Sequence, residues 1–521
     1  MKAEYRVKDA QGLTRGFVID GIYRPYFQVK KVMNRIDNLI LKGNKIVSKK
    51  NKLPIISIKE ANAKYNIEIQ HYVERGFIQR DINKDLEQWY NKFPDYILDV
   101  QGARQIGKTT EILKFAVKHY EQILYVNLVN DNSRVQFEKI VNDLNIYDGM
   151  QEYCNNIGEI SFFNNQNTVL IIDEIQKSVV IYNNLRRLKA LKCHIIITGS
   201  YLGRLLNKDA FIPMGDLKRV TMTVLSFKEF CGVMKAGNLY EKVSIESKSN
   251  MQDYDKLEEL YTIYKQIGGY PAVVVDYQKN RDVTQCEILQ KELLDIFIRE
   301  SLQYYGGDEI YVKASLETAL SSIVQFMLQE KKGSGKEIIT QLTKLTAGNR
   351  KDVIDVKEMN KAVTWLLNSD IIGLCDLEVI GGNVPRLRNR RIYFKDLGIL
   401  NIILKEVINA ESAKKGIVAE NFAYTELNRL YSKGMFGITT PCCAIFNDYE
   451  LDFYIEYKGS KIGLEVKSKK GKEPKSLGIL LAKNKIDKGV IAEVTTGGIG
   501  EKWRRIPIYT IGRADIFLEM L

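Results

Sequence analysis

Three short apolar runs punctuate the first half of the chain: Tyr96-Ile97-Leu98-Asp99-Val100, Thr168-Val169-Leu170-Ile171-Ile172-Asp173-Glu174 and His194-Ile195-Ile196-Ile197-Thr198-Gly199-Ser200. They do not alternate with polar residues, and they are too short to cross a membrane. That pattern fits strands buried on both faces of a parallel sheet. Thr110–Val117 has helical character, and residues 76–232 as a whole alternate strand and helix patterns, which predicts a parallel α/β core. Residues 233–310 read as mainly helical, with Gly268-Gly269-Tyr270-Pro271 as a helix-ending turn. Over residues 311–395, helices give way to strands. Met359–Leu367 reads as an amphipathic helix, and Ile371–Val379 with Arg391–Phe394 as a small wing, which predicts a winged-helix-like domain. Residues 396–521 return to an α/β pattern. Residues 1–75 form a small separate module, with strands expected at Gly16–Gly21 and Lys45–Ser48 and a helix around Val29–Leu41.

The composition fits this picture. The chain has 521 residues, 45% of them hydrophobic, enough for several sizeable cores. Its 77 Lys/Arg against 64 Asp/Glu give +13, which leans towards a polyanionic partner. Residues 1–75 concentrate that excess, with 16 basic side chains against 7 acidic, a balance that a solvated face would equally show. Seven scattered cysteines without a C-x-x-C pair, and only three histidines, argue against zinc sites and a disulfide framework. The charged start, Met1-Lys2-Ala3-Glu4-Tyr5-Arg6, lacks an apolar core segment and does not read as a signal peptide. No run approaches the roughly 18 apolar residues of a membrane span. A reduced cytoplasm is the expected compartment.

The first strand leads directly into Gly102-Ala103-Arg104-Gln105-Ile106-Gly107-Lys108-Thr109-Thr110, which fits G-x-x-x-x-G-K-[ST] at every constrained position. Strand, Gly-rich loop and helix are the context this phosphate-binding loop requires. Glycines let successive N–H groups curl around a phosphate, and the helix N-terminus adds partial positive charge. Lys108 is expected to reach the β- and γ-phosphates of ATP, and Thr109 to coordinate Mg²⁺. Asp173, ending the second strand, is expected to hold the Mg²⁺ shell, with Glu174 as general base. On the third strand, Thr198 or Ser200 is placed to sense the γ-phosphate, and Ser200 joins Lys108 and Glu174 among the catalytic candidates.

A second constellation lies near the C-terminus. Glu450–Glu456 and Lys461–Lys467 read as paired strands. Residues i and i+2 share a face, so Glu465 and Lys467 do, and a suitable register brings Asp452 alongside. Glu420, in a helical run over Ile417–Leu430, could add a third carboxylate. Two carboxylates and a lysine are equipment for metal-assisted phosphodiester hydrolysis, with a second divalent metal, although a surface hairpin commonly carries the same residue types. The basic run Lys467-Ser468-Lys469-Lys470-Gly471-Lys472 suits phosphate contacts or a solvated loop.

Taken in order, these segments resemble the bacterial and archaeal AAA-superfamily ATPases with a C-terminal restriction-endonuclease-like domain of unknown function. The resemblance covers about residues 76–521. It rests on Gln79-Arg80-Asp81-Ile82, the phosphate loop, Ile172-Asp173-Glu174-Ile175-Gln176, Thr198-Gly199-Ser200, Leu225-Ser226-Phe227-Lys228-Glu229-Phe230, Gly268-Gly269-Tyr270-Pro271, Tyr393-Phe394-Lys395-Asp396-Leu397-Gly398, Glu420-Asn421-Phe422, Leu451-Asp452-Phe453 and Glu465-Val466-Lys467. Arg219, before the L-S-F segment, is similar in position to a family arginine and suits phosphate contact or a structural ion pair. The basic N-terminal module is not part of the family's usual pattern. The resemblance implies a Mg²⁺-dependent ATPase coupled to a nuclease-like domain that acts on DNA or RNA. The alternative is a nucleotide-gated switch or scaffold whose nuclease-like fold does not cleave. ATP, nucleic acid and a protein are the expected partners, an oligomer is open, and no membrane contact is expected.

Overall fold

A computed structural model describes residues 3–8, 14–19, 22–25, 55–57, 78–142, 145–158, 161–199, 215–305, 309–329, 338–346, 354–382, 386–407, 411–438, 440–469, 474–499 and 503–521. The chain divides into two units, Met1–Met222 and Thr223–Leu521.

In the first unit, β1 (Ala3–Lys8), β2 (Thr14–Ile19), β3 (Ile22–Pro25) and β4 (Ile55–Ser57) form a four-stranded sheet ordered β3-β2-β1-β4. β2 overlaps the strand expected at Gly16–Gly21, whereas the helix expected around Val29–Leu41 and the strand expected at Lys45–Ser48 lie outside the described residues.

The main sheet of this unit has five parallel strands: β5 (Ile97–Gln101), β6 (Gln122–Asn127), β7 (Thr168–Asp173), β8 (His194–Thr198) and β9 (Leu217–Thr221), ordered β6-β7-β8-β5-β9. Sequence pattern follows position in the sheet. The central strands β5, β7 and β8 are buried at every residue, while edge strand β6 alternates and edge strand β9 is largely open. A strand covered on both faces has no polar side, so its residues are apolar throughout. Asp99 and Gln101 are the exceptions on β5: Asp99, fully buried, accepts a bond from Gln101 Nε2 (2.6 Å) and meets Arg219 Nε (3.5 Å) from the facing position on β9. Arg219 is therefore used in a structural ion pair.

The second unit pairs a helical body with an eight-stranded mixed sheet. Its helices include Phe227–Val233, Met251–Ile267, Pro271–Asn280, Val283–Tyr305, Glu309–Gln329 and Val356–Asn368. The strands are β10 (Ile372–Val379), β11 (Arg386–Phe394), β12 (Cys442–Phe446), β13 (Tyr449–Tyr457), β14 (Ser460–Val466), β15 (Lys488–Glu493), β16 (Gly498–Ile499) and β17 (Trp503–Pro507), ordered β11-β10-β12-β13-β14-β15-β17-β16. The two strands expected as a wing are β10 and β11. They do not form a wing of their own: β10 pairs in parallel with β12, Asp376 facing Cys442, so the expected boundary at 395/396 runs through one sheet. The reason lies in β10 itself. Its residues are mostly buried on both faces, which a free two-stranded wing cannot provide.

Buried polar side chains tie the helical body to this sheet. Ser226 and Glu229 form a reciprocal cap on the helix Phe227–Val233, and Phe227 packs among Phe230, Tyr240, Tyr261, Tyr264, Phe422 and Tyr509. Gly268 ends the helix Met251–Ile267 with φ +68°, and a Cβ there would lie 2.5 Å from the Asp396 carboxylate. Asp396 in turn accepts the N–H groups of Gly269 (2.7 Å) and Ile399 (3.0 Å). Asn421, fully buried, brackets Phe394, accepting its N–H (2.8 Å) and donating to its carbonyl (2.9 Å).

Burial pushes the Asp396 carboxyl up from 3.8 to about 6, against the pull of backbone N–H donors. A folded-state value above the unfolded one means that the folded state binds the proton more tightly. The stabilisation is complete below about pH 4 and is lost as pH rises through about 6, up to about 3 kcal/mol at 1.36 kcal/mol per unit. Wild type should therefore lose stability relative to Asp396→Asn between pH 4 and 7 in chemical denaturation, whereas a constant difference would mean that the carboxyl stays ionised throughout.

Candidate active site

The parallel sheet brings the loops after β5, β7 and β8 to one edge. Between β5 and its helix Lys108–His119, residues 102–107 make the tight loop. Gly102 has φ +143°, and a Cβ there would lie 2.1 Å from the Met222 carbonyl. Ile106 plugs fully into the core, and Gly107 enters the helix in a left-handed conformation. Arg80, almost fully buried, donates from Nη1 to the Ile106 carbonyl (2.8 Å) and buttresses the loop from behind. Lys108 Nζ lies over the loop, donating to the carbonyls of Gly102 (3.0 Å) and Ala103 (2.7 Å).

The helix after the loop is set by its sequence. Glu111 favours the positive N-terminal end, Lys118 and His119 the C-terminal end, and Ile112, Leu113, Phe115 and Ala116 form its buried face. Glu111 is itself buried and joined by Asn83 Nδ2 (3.0 Å) and Lys114 Nζ (2.9 Å), which pins the helix to the preceding segment.

Thr109, the next residue, donates from Oγ1 to Asp173 Oδ2 (2.8 Å). The same carboxylate oxygen accepts Tyr125 OH (2.8 Å), and Oδ1 accepts the Glu174 N–H (2.8 Å). All three donors are neutral. Burial, then Glu174 beside it, pushes the Asp173 carboxyl above its ordinary value, and these hydrogen bonds oppose the rise only in part. A buried carboxylate next to a second carboxylate, held by neutral donors, fits a divalent cation.

Glu174 follows the end of β7 in the left-handed region, φ 54° and ψ 43°, unusual for a residue with a Cβ. Gln176 Nε2 donates to Glu174 Oε2, and Arg104 Nη2 stands 4.0 Å from the same oxygen. Thr198 is fully buried, and its hydroxyl donates to the Val100 carbonyl (3.0 Å), so it ties β8 to β5. Ser200, the other candidate from that strand, lies outside the described residues.

Three contributors carried no clear signal. Tyr125 sits on an alternating edge strand, where a tyrosine is unremarkable. Arg80 and Gln176 lie within the R-D-I and I-D-E-I-Q segments, but their roles emerge only from long-range contacts.

In the second unit, Phe453 faces Leu464 across β13 and β14, which sets Asp452 opposite Glu465. Asp452 Oδ2 accepts the Val466 N–H (2.7 Å), and Lys467 Nζ donates to Glu465 Oε2 (3.0 Å). Asp452, Glu465 and Lys467 thus lie together at this end of the β13–β14 pair. Burial, then Glu465 and Glu420, raises the Asp452 carboxyl well above its ordinary value. Burial and Glu420 also raise Glu465, against Lys467. Burial alone would lower Lys467, but Glu465 and Asp452 hold it above its ordinary value. Glu420 stands near enough to act on all three through space, and its own carboxylate is held by other partners. From the helix Glu411–Ser432, its Oε1 accepts Tyr393 OH (2.6 Å) and Arg391 Nη1 (3.2 Å). Arg391, buried, also pairs with Glu450. Among the described residues, no group of three or more His, Cys, Asp or Glu side chains is arranged to hold a metal. All seven cysteines are buried and unbridged.

The loop, the carboxylate pair and the strand order define the core of the first unit as a P-loop NTPase domain. Residues 94–231 match the family model described as "AAA domain", which makes this stretch similar to AAA-type P-loop ATPase domains. Among solved structures, the chain is similar to a Walker-type ATPase of Pyrococcus abyssi (11% identity, 63% of this chain and 96% of that one, TM-score 0.39). It is also similar to the Holliday junction branch migration motor RuvB of Thermotoga maritima (14% identity, 60% and 92%, TM-score 0.26). A third similarity is to the Aeropyrum pernix ORC1 protein in complex with DNA (11% identity, 64% and 94%, TM-score 0.28). No curated protein matches the chain. Among the described residues, no helix is long and apolar enough to cross a membrane.

The Gly102 geometry gives a direct test. Gly102→Ala should weaken nucleotide binding at least about tenfold, the equivalent of roughly 1.4 kcal/mol, because the loop must move off the Met222 carbonyl. Titration with a fluorescent ATP analogue, with circular dichroism as the folding control, would show it. Unchanged affinity would mean that the loop's shape does not matter to the ligand.

Proposed function

We propose that the chain is a Mg²⁺-dependent ATPase whose nucleotide state governs the second unit. The observation that carries this reading is the contact of Thr109 with Asp173, which joins the phosphate loop to the acidic end of β7. Lys108 would exchange its two loop carbonyls for the β- and γ-phosphates, a stronger, charge-assisted contact. Backbone N–H groups of residues 103–109 would cradle the phosphates at the helix N-terminus. Thr109 and Asp173 would hold Mg²⁺, which supplies charge neutralisation for the phosphate oxygens. Glu174, oriented by Gln176, would accept the proton of the attacking water.

For the second unit, the reading is a nuclease-like fold that engages nucleic acid. The face formed by Asp452, Glu465 and Lys467 supports it. The pairing of Glu420 with Arg391 and Tyr393 favours the second reading, in which this fold binds without cleaving and the chain works as a nucleotide-gated switch. A carboxylate already neutralised by a buried arginine is a poor ligand for a cation.

Two experiments test these readings. Lys108→Ala should abolish ATP binding, and Glu174→Gln should retain binding while turnover falls roughly 10²–10⁴-fold, the usual range for losing a general base. Wild-type turnover in Lys108→Ala would remove the P-loop assignment, and loss of binding in Glu174→Gln would make Glu174 structural. Separately, Mn²⁺- or Mg²⁺-dependent cleavage of DNA and RNA should be compared with that of Glu465→Ala. The binding-only reading expects no cleavage above the variant's level, and metal-dependent cutting lost in the variant would restore the nuclease reading.

A further inference from the structure

A cavity of about 280 Å³ in the second unit lies where the helices Met251–Ile267, Leu397–Val407 and Glu411–Ser432 meet the loop after β14. Its lining is dominated by one charge: Lys265, Lys405, Lys414 and Lys415 against Glu411 alone. Two of these ammonium groups are already matched, Lys405 with Glu287 and Lys414 with Glu411 (3.1 Å). Lys265 and Lys415 have no ion pair among the described residues. Lys265 is half-buried, with its ammonium 4.4 Å from the centre of the Tyr261 ring. Burial lowers its pKa, the nearby Glu258 carboxylate opposes that through space, and Lys415 lowers it further. A desolvated cation beside a like charge is costly unless an anion completes it.

We propose that this cavity is a binding site for a phosphomonoester group. Four considerations select that chemistry. The two unmatched ammonium groups balance a dianion, and a phosphomonoester carries about −1.5 to −2 at neutral pH. Lysines bind phosphate as point charges without requiring the planar fork of arginine. Ser468, Gln266 and Thr262 line the same space and add neutral donors for the remaining oxygens. Leu404, Val418 and Ile508 give an apolar wall, against which the carbon part of an ester can lie. The volume is near the lower end of small-molecule pockets, roughly 300–1,000 Å³, which suits a phosphate with a small organic group or a strand terminus rather than a duplex. The site is independent of the nucleotide reading, because every residue it uses belongs to the second unit.

The test uses the full chain carrying Lys108→Ala, so that the phosphate loop does not contribute. Inorganic phosphate, ribose 5-phosphate and a 5′-phosphorylated tetranucleotide beside its 5′-hydroxyl form are titrated by calorimetry. Stoichiometric binding of at least one phosphomonoester is expected. Joint Lys265→Gln and Lys415→Gln changes should weaken it at least about tenfold, the scale of a lost charge-assisted contact. Lys265→Arg, which keeps the charge, should retain binding and thereby separates loss of the site from loss of fold. Free phosphate binding as tightly as the esters identifies a free-anion site. Preference for the phosphorylated tetranucleotide over its hydroxyl form and over ribose 5-phosphate identifies a strand terminus. No binding by any probe, equal affinity in the charge-neutralised chain, or equal affinity for the hydroxyl tetranucleotide would overturn the proposal.

Discussion

The hydrogen bond from Thr109 to Asp173 crosses the width of a strand, because β8 lies between β5 and β7. That bond can form only if three parallel strands end at the same level and the phosphate-loop helix starts directly above them. Register supplies the first condition: Val100 faces Thr198, and Ile197 faces Ile172. The Thr198 hydroxyl on the Val100 carbonyl then fastens β8 to β5 from within. The second condition is met behind the loop, by Arg80 on the Ile106 carbonyl and by the buried Glu111 linked to Asn83 and Lys114. A buried polar contact of this kind is held firmly, since each group left unpaired would carry its full desolvation cost.

The second unit obeys the same constraint by other means. Its packed helices and sheet enclose Asp396, Asn421, Glu426 and Arg429, all buried. Asp396 and Asn421 are satisfied by backbone groups, whereas Arg429 spans Thr223 and Glu426, and Glu426 accepts the Phe227 N–H. Segments that in a linear reading look like scattered signatures, L-S-F, G-G-Y-P, Y-F-K-D-L-G and E-N-F, thus meet at one junction. Their residue types follow from packing: a glycine where a Cβ would collide with Asp396, and an asparagine where the Phe394 backbone needs both a donor and an acceptor.

Legibility in the sequence tracked the distance over which each signal acts. The phosphate loop, its helix and the apolar central strands are local patterns, and they stand where the sequence reading put them. The hairpin of β13 and β14 was legible only in part: alternation sets Glu465 and Lys467 on one face, whereas the register that puts Asp452 opposite Glu465 shows only in the folded pairing. Partner choice was not legible. Nothing near Glu420 in the chain announces that Arg391 and Tyr393 will occupy it, nor that Thr198 will bond to Val100. The supposed wing failed for the same reason: a hairpin's own pattern does not reveal that a third strand, β12, which begins 48 residues after β11 ends, will lie beside it. Charge counts pointed to a polyanion but could not locate the lysine-lined cavity, which draws Lys265, Lys405 and Lys414 from three separate helices.

The outer rim of the eight-stranded sheet carries a further consequence. β11 is a terminal strand of the sheet among the described residues, and its sequence Arg386-Leu387-Arg388-Asn389-Arg390 sets three arginines along its outer half, with Arg391 buried beyond them. Arg386 and Arg388 are anchored on the neighbouring β10, to Glu378 (3.2 Å) and Asp376 (2.7 Å). The opposite terminal strand, β16, is only two residues long. An incoming backbone would have to desolvate charged side chains at one rim and would find almost no ladder at the other. Two copies of this unit are therefore discouraged from zipping their sheets together, and higher-order assembly would fall to helical faces and loops, which leaves the sheet margins free of runaway polymerisation.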